Sequence, residues 1–266
     1  MASFLFRRRH EPVSSDPLPA ELPGGPPIFL SGCNRGGTSI LSLLLGHHPQ
    51  VHNLGTGPFH EGQWIWRQKF RDRSRHRWAI EPWRARMRKT AADATPEIVA
   101  FFRATFHAQA AAAPGRRLLE KTPANAIRIP LIDRLFPASY VIHVVRDGRH
   151  TVASLRARKV PLLDAARQWV AVHTIALPDL AALGAERALV VRYEELVAEP
   201  LATLVRICAH CRLDHGPAER ASLAQAIERH LVPPVDRWRA MAEADRRQTL
   251  AVIGPMQAHL GYPVEL

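Results

Sequence analysis

A short apolar run, Ile28-Phe29-Leu30, is followed by Gly32, Gly36 and Gly37 and then by the apolar series Ile40, Leu41, Leu43, Leu44 and Leu45. The run has the length of a buried strand, and the later series keeps helical spacing, so the segment between them must turn sharply from strand to helix. That turn, Ser31-Gly32-Cys33-Asn34-Arg35-Gly36-Gly37-Thr38-Ser39, brings successive backbone amides to a helix N-terminus beside two hydroxyls and one cation. Such a loop cradles an anion. It differs from the G-x-x-x-x-G-K-[ST] nucleotide loop: Gly32 and Gly37 have the required separation, but Thr38 stands where the lysine belongs.

The pattern of strand then helix repeats. Val51–Leu54 reads as a strand, Leu118-Leu119-Glu120 as another followed by a helix over 124–136, and Tyr140–Val145 as a buried strand followed by a helix over about 148–158. A long helix over 164–183, a strand over 188–191 and helices over 200–211 and 217–230 complete the expectation. Strands alternating with helices predict an α/β fold with a mostly parallel central sheet flanked by helices, in which ligands bind at the carboxyl ends of the strands. Residues 11–27 carry six prolines and two glycines. We therefore expect an extended arm over 1–26 and one domain over 27–266, with a basic aromatic insert at about 60–95.

The first ten residues lack the apolar run of a secretory signal, and no stretch reaches the roughly 18 apolar residues of a membrane span. Three cysteines, Cys33, Cys208 and Cys211, are too few for a disulfide framework. A soluble, cytoplasmic protein is expected. The net charge of +12 is concentrated in residues 67–89, where ten Lys/Arg face only Asp72 and Glu81. This points to an anionic partner near one surface. Trp64, Trp66, Trp78 and Trp83 fall among these arginines and suit either base stacking or anchoring of the insert. Cys208-Ala209-His210-Cys211 lacks the second half of a zinc site, so no metal is expected.

A second candidate anion grip leaves the Tyr140–Val145 strand as Arg146-Asp147-Gly148-Arg149, with Ser154 eight residues after Arg146. Arg146 and Ser154 are placed to hold one phosphate together, Asp147 and Arg149 to brace the loop. Together with Glu120-Lys121-Thr122-Pro123-Ala124-Asn125, these segments make the chain resemble the sulfotransferases that use 3′-phosphoadenosine 5′-phosphosulfate (PAPS). The wording EKTPAN, VVRDGR, ARKV and RYEEL is most similar to the tyrosylprotein branch and related bacterial proteins. The resemblance runs from about Pro27 to Tyr262. It implies that Arg35, Gly36, Gly37, Thr38 and Ser39 cradle the 5′-phosphosulfate, that Arg146 and Ser154 hold the 3′-phosphate with Arg158 nearby, and that Tyr193 and Arg237 line the nucleotide site. Trp238 reads as a packing residue.

In the phenol and steroid enzymes of the family a histidine base follows a K-T pair, but here Lys121-Thr122 is followed by Pro123. The tyrosylprotein branch uses a glutamate soon after the H-P that ends the first helix. After His48-Pro49 the matching carboxylate is Glu61, with His60 beside it as the other candidate base. The expected chemistry is in-line sulfuryl transfer with a loose transition state, Arg35 and Lys121 neutralising the leaving phosphate and no metal needed. A hydroxyl or amine of a glycan, protein tyrosine, lipid-linked sugar or small molecule could accept, with a lean toward acidic acceptors. Three rivals stand: a nucleotide kinase, which lacks its lysine and a place for its Mg²⁺; a nucleic-acid or anionic-polymer binder driven by the insert, which leaves the paired signatures unexplained; and a sulfotransferase-like protein that binds nucleotide without turnover.

Overall fold

The computed structural model describes residues 21–57, 61–70 and 76–266. In chain order these form β1 (Ile28–Gly32), α1 (Thr38–Gly46), β2 (Val51–Asn53), α2 (Gln63–Phe70), α3 (Trp83–Met87), α4 (Pro96–Ala112), β3 (Arg117–Lys121), α5 (Ile129–Leu135), β4 (Tyr140–Val145), α6 (Gly148–Arg156), α7 (Leu162–Leu183), β5 (Ala188–Arg192), α8 (Tyr193–Ala198), α9 (Pro200–His210), α10 (Pro217–His230) and α11 (Glu243–His259). The strands form one sheet in the order β2-β3-β1-β4-β5, parallel throughout. The expected α/β architecture with its parallel sheet is what the chain adopts.

The sheet is apolar on both faces because both are covered. From one face Ile28 and Leu30 pack with Leu41, Leu44 and Leu45 of α1 and Leu204 and Ile207 of α9. From the other, Phe29 packs with Phe102 and Phe106 of α4, Leu131 and Ile132 of α5 and Trp169 of α7. The period of two along β1 thus sends alternate side chains into two separate cores. Phe29 is fully buried, 5.7 Å from Phe106 and from Phe136 between ring centres, and truncating it to alanine would cost about 3–5 kcal/mol.

Several expectations need correction. The helix expected over 124–136 is split into a turn of 3-10 helix, Pro123–Ile127, and α5, because Arg128 at the junction, at φ −131° and ψ 8°, departs from helical geometry. Helix α10 does not close the fold: α11 follows and packs Ile253 into the α7 side of the core. Leu22 is also buried in that core, so the chain joins the body before Pro27. Among the described residues no helix is long and apolar enough to cross a membrane.

The order of the strands fixes where a ligand can sit. The chain leaves β1 toward β2 on one side and leaves β4 toward β5 on the other, so the connections diverge and open a crevice at the carboxyl ends of these neighbours. Gly32 pairs with Val144 there, which places the turn after β1 beside Arg146.

Candidate active site

The turn after β1 is tightly built. Gly36 N donates to Cys33 O at 2.9 Å, and Arg35 takes a left-handed conformation, φ 67°, that L-residues other than Gly, Asn and Asp seldom adopt. Gly37 caps α1 at φ 104°, and a Cβ there would lie 2.3 Å from the Tyr193 ring, so both conformation and space demand glycine. No side chain caps α1 and no acid occupies its first turn. Its first amides therefore remain for a ligand.

The two loops meet at Arg35. Its Nε donates to Ser154 Oγ at 3.0 Å, and its carbonyl accepts from Arg146 Nη1 at 3.1 Å. Arg146 stacks on Tyr193, 4.2 Å from the ring centre, while its Nε is buried with no hydrogen-bond partner. Arg158 and Arg237 stand close enough that, after burial, their charges and that of Arg146 hold the Arg35 guanidinium below its ordinary pKa. Among the described residues none of these four arginines has a carboxylate partner. Four cations converging without a counter-charge, one with an orphaned donor, fit an anionic nucleotide bearing two phosphate groups.

Lys121 closes the other side. It ends β3 with its side chain fully buried, Nζ 3.1 Å from Ser39 Oγ and 3.4 Å from Glu61 Oε1. Burial pulls the ammonium below the usual lysine range and Glu61 pulls it back up. Glu61 is fixed by backbone: it bridges to Thr56 in antiparallel fashion, and Gly62 N donates to Lys121 O at 2.9 Å, docking the segment on the end of β3. Beneath them Glu120 is buried, accepting from Thr122 Oγ1 at 2.6 Å and from Asn125 Nδ2 at 2.5 Å, and Asn125 Nδ2 also donates to Leu30 O at 3.1 Å. Burial pushes the Glu120 carboxyl up. His60 lies outside the described residues.

Two depressions share this frame. One, of about 340 Å³, is lined by Asn34, Arg35, Thr38, Ser39, Glu61 and Arg158, together with Arg67, His76 and Trp78 of the insert. The other, of about 240 Å³, lies between Arg146, Tyr193, Val197 and Val235. The first holds Glu61 and the loop after β1; the second is apolar and bounded by the Arg146–Tyr193 stack. Two tryptophans of the insert act as anchors: Trp66 is buried against Phe102, 4.7 Å between ring centres, and Trp78 donates to Asn34 Oδ1. Arg71, Arg73 and Arg75 lie outside the described residues.

Sequence reasoning passed over the residues that hold the Arg146 loop. Asp147 caps α6 and pairs with Arg149, as expected of a brace. Asp147 N also donates to Glu194 Oε1, and Gln257 of α11 bonds both Asp147 and Gly148. Glu194 sits inside the RYEEL segment already noted; Gln257 carried no signal. His143 is fully buried in β4 and hydrogen-bonded to Ser31 Oγ at 2.9 Å and His173 Nδ1 at 3.1 Å, a core residue. Trp238 is likewise packed. Cys208 and Cys211 are buried, and no metal-holding cluster occurs among the described residues.

Comparison with known proteins agrees with this geometry. The model of the sulfotransferase family matches residues 26–217. Protein-tyrosine sulfotransferase 2 of Gallus gallus is 29% identical over a span covering 89% of this chain and 69% of the relative. Protein-tyrosine sulfotransferase 1 of Danio rerio is 28% identical, over 89% of this chain and 72% of its own. In fold, the chain resembles sulfotransferase STF9 of Mycobacterium avium, with a TM-score of 0.61 at 14% identity over 92% of this chain and 78% of that one. It also resembles a mouse sulfotransferase solved with PAP, with a TM-score of 0.51 at 14% identity over 89% and 85%. The chain belongs to the sulfotransferase family and is a transferase of sulfuryl groups.

Proposed function

We propose that the donor is PAPS and that the acceptor is a hydroxyl, foremost that of a protein tyrosine, presented to Glu61. The observation that carries this reading is the convergence of Arg35, Arg146, Arg158 and Arg237 on an uncapped helix N-terminus, with the Lys121–Glu61 pair in contact beside it. The activated sulfuryl group comes from the donor; all else falls to side chains. Thr38, Ser39 and the α1 amides orient the 5′ end, and Arg35 with Lys121 meets the charge that grows on the leaving phosphate oxygen. Arg146 and Ser154 hold the 3′-phosphate, with Tyr193 beneath.

Glu61 takes the acceptor proton. Its contact with Lys121 Nζ, at 3.4 Å, keeps the side chain aimed. Arg67 and His76, which line the same depression, favour acceptors carrying negative charge beside the hydroxyl. The relatives named protein-tyrosine sulfotransferases support a protein acceptor.

The test is thermal unfolding of the purified chain with PAP, ADP and 5′-AMP, followed by transfer of label from radioactive PAPS to tyrosine peptides with and without flanking acids. A shift selective for PAP is expected, because a ligand bound by native protein alone raises the midpoint and only PAP offers a 3′-phosphate to Arg146 and Ser154. Equal shifts with all three nucleotides, or none, would reject the donor. Labelling of neither peptide would reject the acceptor alone.

A further inference from the structure

Helix α11 lies beyond residues 26–217, yet it reaches the loop that carries Arg146. Gln257 is fully buried there. Its Oε1 accepts from Gly148 N at 2.9 Å, and its Nε2 donates to Asp147 Oδ1 at 2.6 Å and to Pro263 O at 3.2 Å. A few residues on, Tyr262 OH donates to Glu194 Oε2 at 2.8 Å, and the other oxygen of Glu194 accepts from Asp147 N at 3.0 Å. Arg192 stacks on the Tyr262 ring at 4.5 Å, and Arg149 Nη1 reaches Glu265 O at 3.1 Å. The amides and the carboxylate of the two residues after Arg146 are thus tied, directly or through Glu194, to one C-terminal segment.

The chemistry of the tie is specific. Gly148 N needs an acceptor and Asp147 Oδ1 takes a further donor, and the side-chain amide of Gln257 supplies both from one position. A hydrocarbon would leave Gly148 N buried without an acceptor and Asp147 held by Arg149 alone, and a glutamate would set a second carboxylate against Asp147. Because Arg146 is next in chain to both anchored residues, displacing them moves its guanidinium.

We propose that Gln257 and Tyr262 are positioning residues for Arg146, so that segment 257–263 sets the preference of the site for a 3′-phosphorylated nucleotide. This rests on the assignment of Arg146 to the 3′-phosphate. The experiment measures Kd by calorimetry for PAP and for 5′-AMP in wild type, Gln257→Met, Arg146→Ala and the double variant. Gln257→Met is expected to weaken PAP about tenfold and 5′-AMP less than about twofold, and to add nothing once Arg146 is gone. Equal loss for both nucleotides, unchanged affinity, or full additivity with Arg146→Ala would overturn the proposal. Should Gln257→Met not melt cooperatively, Tyr262→Phe, which keeps the stack on Arg192, goes through the same cycle. It is expected to lose about threefold for PAP alone; an unaltered PAP to 5′-AMP ratio overturns the proposal. A wild type without preference for PAP would instead remove the donor assignment, and the clamp with it.

Discussion

Arg35 Nε and Ser154 Oγ, 119 residues apart in sequence, lie 3.0 Å from each other. The hydrogen bond ties the loop after β1 to the helix after β4, so each end of a ligand bearing two phosphate groups is felt at the other. Ser154→Ala should therefore weaken PAP by about tenfold while also loosening Arg35, and kcat should fall with it. Arg35→Ala should cost about 100-fold or more in kcat. Steady-state kinetics with the donor varied separate the two; a Ser154 effect confined to KM would mean that Arg35 keeps its place unaided.

Glu61→Gln should lower kcat by about 10²–10⁴ with little change in PAP affinity, since the amide keeps the shape of the side chain but cannot take a proton. Retained turnover in Glu61→Gln together with loss in His60→Ala would move the base to His60.

Gly37→Ala should destabilise the fold by about 1–3 kcal/mol and abolish nucleotide binding, because φ 104° is unfavourable for alanine and the added methyl meets Tyr193. Gly37→Ala with Tyr193→Ala should recover part of the stability but not the part due to φ. Denaturant titration measures both.

Arg237 illustrates the opposing demands of stability and binding. It is exposed and adds its charge to a cluster that already crowds Arg35. Arg237→Gln should leave the melting temperature of the free protein unchanged or raise it, while shrinking the shift produced by PAP. Raising the salt concentration should shrink the wild-type shift in the same direction.

The buried pair His143 and His173 makes stability depend on pH. Burial holds His143 down to about 4 and His173 well below its usual range. In the unfolded chain both titrate near 6.5 and so take up protons first as pH falls. The stability they lend is whole above about pH 6.5 and drains away toward pH 4, at up to roughly 1.4 kcal/mol per pH unit for each histidine. Urea unfolding at pH 7 and pH 5 should show the loss, and His143→Gln should flatten it. An equal slope in wild type and variant would place the titration elsewhere.

Much of this site could be read directly from the chain. The Ile28–Leu30 run and the glycines after it leave few options, and Arg146 with Ser154 repeats the same strand-exit grammar. The helices α4 and α11 were not foreseen: Pro96–Ala112 is alanine-rich with a narrow apolar stripe, and Glu243–His259 reads as a polar stretch interrupted by Pro255. Gln257 and Glu194 are illegible for a deeper reason. A polar residue on a helix is silent about its partner when that partner lies 110 residues away and the bond forms only in the finished fold. The tryptophans of the insert were ambiguous for the same cause, since burial against Phe102 is decided by packing and not by spacing.

The central strand of the sheet is the first to be written in the chain. β1 can acquire its hydrogen-bonded neighbours only from segments beginning at Arg117 and Tyr140, which come long after it. During refolding Ile28, Phe29 and Leu30 must wait without their sheet partners while large loops close around them, a slow route compared with local pairing. Until β4 docks, Gly32 has no Val144 beside it and the amides of the anion loop have no reason to point one way. Competence to bind nucleotide should accordingly lag behind compaction in time, and a nucleotide analogue added during refolding would report the last event of the pathway and not the first.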